Sequence, residues 1–363
     1  MVRSRASMTK LVLSLVMLAV LGLAGAVSSA SAGTANAGLA TASRSDPLTG
    51  MPLGNYTGGQ DEVFPAYFAA TGETKRLLGL VALRPRMRWF GTFSYPTSPQ
   101  ESARDYIDNV TVGNPAVLSQ MAVFRLVPWE YDACHRLPTA ADQTDYRGWI
   151  NQFAAGIGAS RVALVLQPDL PFALCIPHRS QLPLQEVAYA ARVFSSLPHT
   201  TVYLDVGASD WPTVGQASWI LRHSGVRYTR GFALGATHYA SNEAEIRYGA
   251  KLVASLRAKG IRGMHFVINT SQNGRPFTYA QYHGPDYDNA FVCARASSRR
   301  CVTLGIPPTT DVTNRRWGLS AKARRLARRL VDAYLWIGRP WLYRQDHPFD
   351  LQRTLALART SPF

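Results

Sequence analysis

Apolar runs of strand length alternate with helical patterns from Asp46 almost to the end of this 363-residue chain. That alternation confines it to an α/β fold with a parallel sheet and right-handed crossovers. Seven runs qualify, at 87–93, 121–127, 161–167, 201–206, 231–236, 264–269 and 333–337. They are short and rich in β-branched residues, as strands covered on both faces are. Helical signals separate most of them. Ser98-Pro99-Gln100-Glu101 combines an N-cap, a first-turn proline and a reciprocal glutamate. Patterns at 144–157, 184–197, 214–223 and 242–259 follow, the last stopped by Gly260, and Ser320 opens a final helix. No glycine-rich phosphate loop follows the first run, which favours a barrel over an open nucleotide-binding sheet.

Two runs lead into an aspartate, Asp169 after the third and Asp205 within the fourth. In α/β folds the carboxyl ends of the strands form the active face. Two carboxylates on neighbouring strands there are what acid/base work on a glycosidic bond needs. The eight histidines are scattered without H-E-x-x-H spacing, and no serine sits in a G-x-S-x-G elbow.

Residues 1–37 read as a signal peptide and cleavage region. Arg3, Arg5 and Lys10 precede an apolar stretch at 11–27, and small residues follow it. A single membrane anchor is the rival reading of that stretch. Residues 38–46 read as a flexible lead-in and 47–363 as one catalytic domain. Export makes the four cysteines interpretable as two disulfides. Cys134 with Cys175 and Cys293 with Cys301 is the simplest of three pairings, and no spacing points to a metal site. The net charge is +16, with a concentration of cations from Lys322 to Arg329. A basic helix of this kind suits contact with an anionic cell envelope. Nucleic acid is not expected, since no reading motif is present.

Six segments, in order, resemble glycoside hydrolase family 6, the inverting β-1,4-glucanases. They are Trp89-Phe90-Gly91, Leu166-Gln167-Pro168-Asp169-Leu170, Tyr203-Leu204-Asp205-Val206-Gly207 with Trp211, Gly231-Phe232-Ala233-Leu234, 265–274, and Asp332-Ala333-Tyr334-Leu335-Trp336. The resemblance implies a distorted, seven-stranded parallel β/α barrel that cleaves β-1,4-glucan with inversion and without a cofactor; with the leader, the expectation is a secreted monomer. It implies Asp169 as the general acid, Asp205 as a substrate-site carboxylate, and the Cys134–Cys175 disulfide as a clamp on the loops around the acid. Trp89, Trp211 and Trp336 fall at or just beyond predicted strand ends, where an indole either stacks on a sugar face or fills the barrel as packing.

The departures are specific. Gln167 replaces a glutamate, Ala208 a histidine, and Ala133 the aspartate that supports the acid, so Asp132 is the expected substitute. Beyond the seventh strand Gly338, Leu342 and Arg344 replace the family's lysine and two acids. Arg339 then supplies the lost cation, and the base is left to Asp346, Asp350 or a water chain. The absent late cysteine leaves Cys293 to pair with Cys301. These losses define the alternative expectation: a catalytically impaired glycan- or envelope-binding protein on the same barrel.

Overall fold

A computed structural model describes residues 46–58, 61–91, 97–338 and 349–363. The expected leader, the end of the first apolar run, Arg339 and Asp346 lie outside them. Seven strands, β1 (Arg88–Gly91), β2 (Ser119–Phe124), β3 (Val162–Leu166), β4 (Thr200–Asp205), β5 (Gly231–Leu234), β6 (His265–Asn269) and β7 (Val331–Leu335), pair in chain order. All six pairings are parallel, and each expected run overlaps one strand.

The sheet curls so that its two edges approach. Met87 N donates to Trp336 O at 2.8 Å, and the Trp89 indole donates to Ile337 O at 2.7 Å. Gly91 is needed where β1 meets β2, because a Cβ there would lie 1.6 Å from Phe124 O. Side chains alternate between two buried faces. Ala163 and Val165 of β3 point into the barrel with Tyr203, Val267 and Leu335. Val162, Leu164 and Leu166 point outward against the helices.

Those helices are α3 (Pro99–Thr111), α4 (Ala140–Ile157), α5 (Leu182–Ser195), α6 (Val214–His223), α7 (Asn242–Ala258) and α8 (Ala321–Leu330). They start where the sequence supplies caps. Ser98 and Glu101 close a reciprocal capping box on α3, and Thr139 with Asp142 and Thr213 with Gln216 do the same for α4 and α6. Helices α1 (Val63–Ala69), α2 (Gly72–Ala82) and α9 (Leu351–Thr360) add a satellite core around Phe64, Leu78, Trp336 and Leu357. The sequence patterns did not mark these three. Both disulfides form as the simplest pairing has them, Cys134–Cys175 and Cys293–Cys301.

Candidate active site

The chain turns sharply as it leaves β3. Gln167 and Asp169 both take positive φ, 52° and 65°. This left-handed conformation is costly for residues with a side chain and collects at functional turns. The turn is held from β2: Gln167 N donates to Val123 O at 2.7 Å, and Gln167 Oε1 accepts from the amides of Arg125 and Leu126. Its amide oxygen therefore fixes backbone. Asp169 follows, 6% exposed, immediately before a short 3₁₀ turn at Leu170–Leu174. Thr237 Oγ1, just beyond β5, donates to Asp169 Oδ1 at 2.7 Å.

Asp205 lies fully buried beneath this turn. Its carboxylate accepts from the Asp169 amide at 3.3 Å and from the Gly207 amide at 3.1 Å. Gly207, at φ 76°, admits no side chain, since a Cβ would lie 2.7 Å from Pro171 Cγ and 3.1 Å from Trp211 Cε3. Asp205 thus ties the exit of β4 to the residue that carries the candidate acid. One turn later, Glu245 of α7 accepts from Ser209 N at 3.0 Å and Ser209 Oγ at 2.9 Å. That grip sets the following pair. Asp210 Oδ1 lies 2.9 Å from His238 Nδ1, and its other oxygen accepts from Tyr279 N at 2.8 Å. Trp211 stacks on the His238 ring, with centroids 5.0 Å apart.

Electrostatics follow from this burial. Removal from water raises the Asp169 carboxyl to about 7; the Thr237 hydrogen bond opposes this, and the negative charges of Glu130 and Asp288 add to it. Burial, reinforced by the charge of Asp169, holds Asp205 well above the usual carboxylate range. Burial also raises Glu245 to about 7. Asp210 runs the other way: burial pushes it up, but the hydrogen bond and charge of His238 outweigh that and leave it below its ordinary value. Asp169 and Asp210, in one site, therefore sit on opposite sides of the ordinary carboxylate value, and Asp210 stays ionised as the partner of His238.

A cleft of about 920 Å³ opens over Asp169. Trp89, Tyr131, Trp211 and Tyr279 contribute aromatic faces to it, and Glu130, Asp286 and Asp288 contribute carboxylates. Among the described residues no three ligating side chains converge to hold a metal ion.

A model of the glycosyl hydrolases family 6 matches residues 56–341, well over half of the sequence. The chain belongs to glycosyl hydrolase family 6. It is 25% identical over 210 residues to Endoglucanase 1 of Streptomyces halstedii and 26% identical over 223 residues to Endoglucanase A of Cellulomonas fimi. These matches cover 56% and 61% of this chain, and they span 63% and 47% of the two relatives. Among solved structures, it resembles the endoglucanase Cel6 from Mycobacterium tuberculosis in complex with methyl-cellobiosyl-4-deoxy-4-thio-β-D-cellobioside. The TM-score is 0.69 at 25% identity, covering 87% of this chain and 99% of that one. A family 6 enzyme of Orpinomyces shares the fold at TM-score 0.66 and 19% identity, covering 86% and 97%.

The family 6 residues expected from sequence are distributed unevenly. Asp169, Trp211 and Trp89 line the cleft, and Asp205 sits directly below. Asp132 is exposed on the 3₁₀ turn Glu130–Cys134 and is not part of the lining. Glu130, two residues earlier and at φ 53°, is. Trp336 corrects an expectation: it is 1% exposed in the satellite core, its indole donating to Ile306 O at 3.0 Å, because the edge strand β7 turns it away from the cleft. Asp350 caps α9 by accepting from Arg353 N at 2.8 Å. The sequence reading missed Thr237, His238 and Glu130. The first two directly follow the fifth apolar run, so inspecting the residues just past every strand finds them. Tyr279 and Asp288 lie in the long segment after β6, where no periodicity marks them.

Proposed function

We propose that this chain is a secreted glycoside hydrolase that cleaves β-1,4-linked glucan with inversion, Asp169 serving as general acid. The supporting observation is a buried carboxyl that retains its proton up to about pH 7 at the floor of an aromatic-lined cleft. Thr237 donates to Oδ1, which leaves Oδ2 to carry the proton toward the leaving oxygen. Asp205 orients the acid through its backbone amide, and the ring of Trp211, backed by His238, offers a face for a sugar. Inversion requires a water on the opposite face of the sugar, activated by a carboxylate roughly 6.5–9.5 Å from the acid. Glu130 lies on the same cleft with its charge felt by Asp169, and no hydrogen bond to another described residue engages its carboxylate. It is the base this reading favours; burial and the charges of Asp288 and Asp132 raise its carboxyl, so it serves as base once pH is high enough to ionise it. Two disulfides suit the oxidising compartment that secretion implies.

Release of reducing ends from carboxymethylcellulose tests the reading, with the product anomer followed by NMR. Asp169→Asn is expected to lower the rate by roughly 10²–10⁴-fold. The parent rate is expected to fall as pH rises through about 7, where the acid loses its proton. Equal trace release by parent and variant would instead favour the glycan-binding alternative, which Gln167 supports by withholding an anion from Asp169.

A further inference from the structure

α8 reads Ala-Lys-Ala-Arg-Arg-Leu-Ala-Arg-Arg-Leu, five cations with no carboxylate. Ala323 and Ala327 are buried and Leu326 and Leu330 half-buried, so its apolar side is used in packing. Lys322, Arg325, Arg328 and Arg329 are exposed, as are Arg315 and Arg316 in the turn just before. Among the described residues none of these six has an ion pair. The carboxylate at the start of the helix, Glu243 of α7, is already engaged by Arg247 and the Ser320 amide. Like charges three and four residues apart on a helix repel one another, and among the described residues no carboxylate pairs with them to relieve this.

Lys322, Arg325 and Arg329 lie three and four residues apart along one face, so that face presents a cation every ~5.4 Å turn, a line of positive charge that a regularly charged linear polyanion complements. We propose that this face of α8, continued by Arg315 and Arg316, docks a linear acidic polysaccharide carrying one carboxylate per sugar. Guanidinium forks pair with carboxylates through two parallel hydrogen bonds. α8 exposes no large apolar side chain to enter a bilayer, unlike a helix that lies in a membrane surface. α8 carries no aromatic ring on which nucleic-acid bases stack, and Trp317 beside Arg316 is half-buried, its indole donating to Asp311 O at 2.6 Å. No α8 residue lines the cleft over Asp169. Docking therefore leaves the cleft open, and the inference stands apart from hydrolysis there.

Binding of the full chain to polygalacturonate tests this, with the fully methyl-esterified polymer as the uncharged control. The parent is expected to bind only the acidic polymer, and to release it as salt rises from about 0.05 M to about 0.5 M. The variant Lys322→Gln/Arg325→Gln/Arg328→Gln/Arg329→Gln is expected to bind roughly tenfold or more weakly, as loss of several charge contacts dictates. A charge-matched change of four exposed arginines elsewhere, Arg227→Gln/Arg295→Gln/Arg299→Gln/Arg300→Gln, is expected to have a much smaller effect. If the fourfold α8 variant fails to fold, Arg325→Gln/Arg329→Gln takes its place with the same expected direction. Equal losses from the two fourfold variants would reduce the effect to net charge and overturn the proposal. Binding to the methyl ester, or preference for anionic vesicles or polyphosphate, would overturn it as well.

Discussion

A carboxyl that holds its proton near neutrality also carries a stability signature. Asp169 is raised in the folded chain to about 7, while an unfolded aspartate titrates near 3.9. Between those values the folded state binds more protons than the unfolded one, so stability falls as pH rises across that window. Above it the folded chain holds a buried charge that Thr237 only partly compensates. Asp169→Asn keeps the shape and removes that charge. Urea unfolding is expected to show the variant more stable than the parent by about 2 kcal/mol near pH 8 and nearly equal near pH 4. A loss of stability at both pH values would mean that the side chain is structural and that its proton is not held against burial. Gain of stability together with loss of catalysis is the trade expected of a strained catalytic residue.

At the scale of elements, the site depends on turns being fixed relative to one another. The Cys134–Cys175 disulfide joins the turn after β2, which carries Glu130, to the turn after β3, which follows Asp169. The linked residues are 41 apart in sequence, and closing a loop of that length stabilises by roughly 3–4 kcal/mol on the chain-entropy estimate. Replacing both cysteines with serine is expected to lower the unfolding free energy by about that amount. It is also expected to weaken hydrolysis beyond what partial unfolding accounts for, since both carboxylates lose a common anchor. Unchanged activity of the folded fraction would show that the two turns hold their places without it. Elements of this kind were readable where local chemistry decides. Ser98 with Glu101, Ser320, and the β-branched runs announce their helices and strands without reference to the rest of the chain. The short helices α1, α2 and α9 did not announce themselves, because tertiary burial around Trp336 and Leu357 holds them more than any capping pattern does. For the same reason Trp336 read as a cleft residue: its position at a strand end is visible in sequence, but the side of the edge strand it faces is not. Asp169 was legible because a strand exit fixes where a side chain appears. Glu130 was not, since a left-handed residue in a turn redirects the chain without any periodic trace.

On the scale of the whole molecule, an incompletely hydrogen-bonded barrel needs something to hold its strands in register at the end away from the cleft. Pairing of β6 with β7 slips by one residue between Phe266 and Val267, and Asp332 occupies the bulge on β7. The bulge aims its carboxylate at the barrel interior, where Tyr203 of β4 donates to it at 2.7 Å. Arg230, immediately before β5, approaches the two oxygens at 2.9 and 3.0 Å, and His265 at the start of β6 lies 3.1 Å away. One buried side chain thereby connects four strands. Burial pushes Asp332 up, but His265 and Arg230 outweigh it and leave the carboxyl below its ordinary value. A lowered carboxyl stabilises fully above the unfolded value and loses that contribution as pH falls through the folded one. Asp332→Asn removes the carboxylate that faces the buried Arg230 guanidinium, an effect expected to cost about 3–5 kcal/mol near pH 7. The difference from the parent is expected to shrink as pH falls below the ordinary aspartate value and the lowered parent carboxyl in turn takes up its proton. Since the cleft lies at the opposite strand ends, the hydrolytic rate per folded molecule is expected to stay within about twofold, as for sites that share no partners. A pH-independent penalty in urea unfolding would show that Asp332 acts through shape, and the ionic closure of the barrel would then be the wrong account.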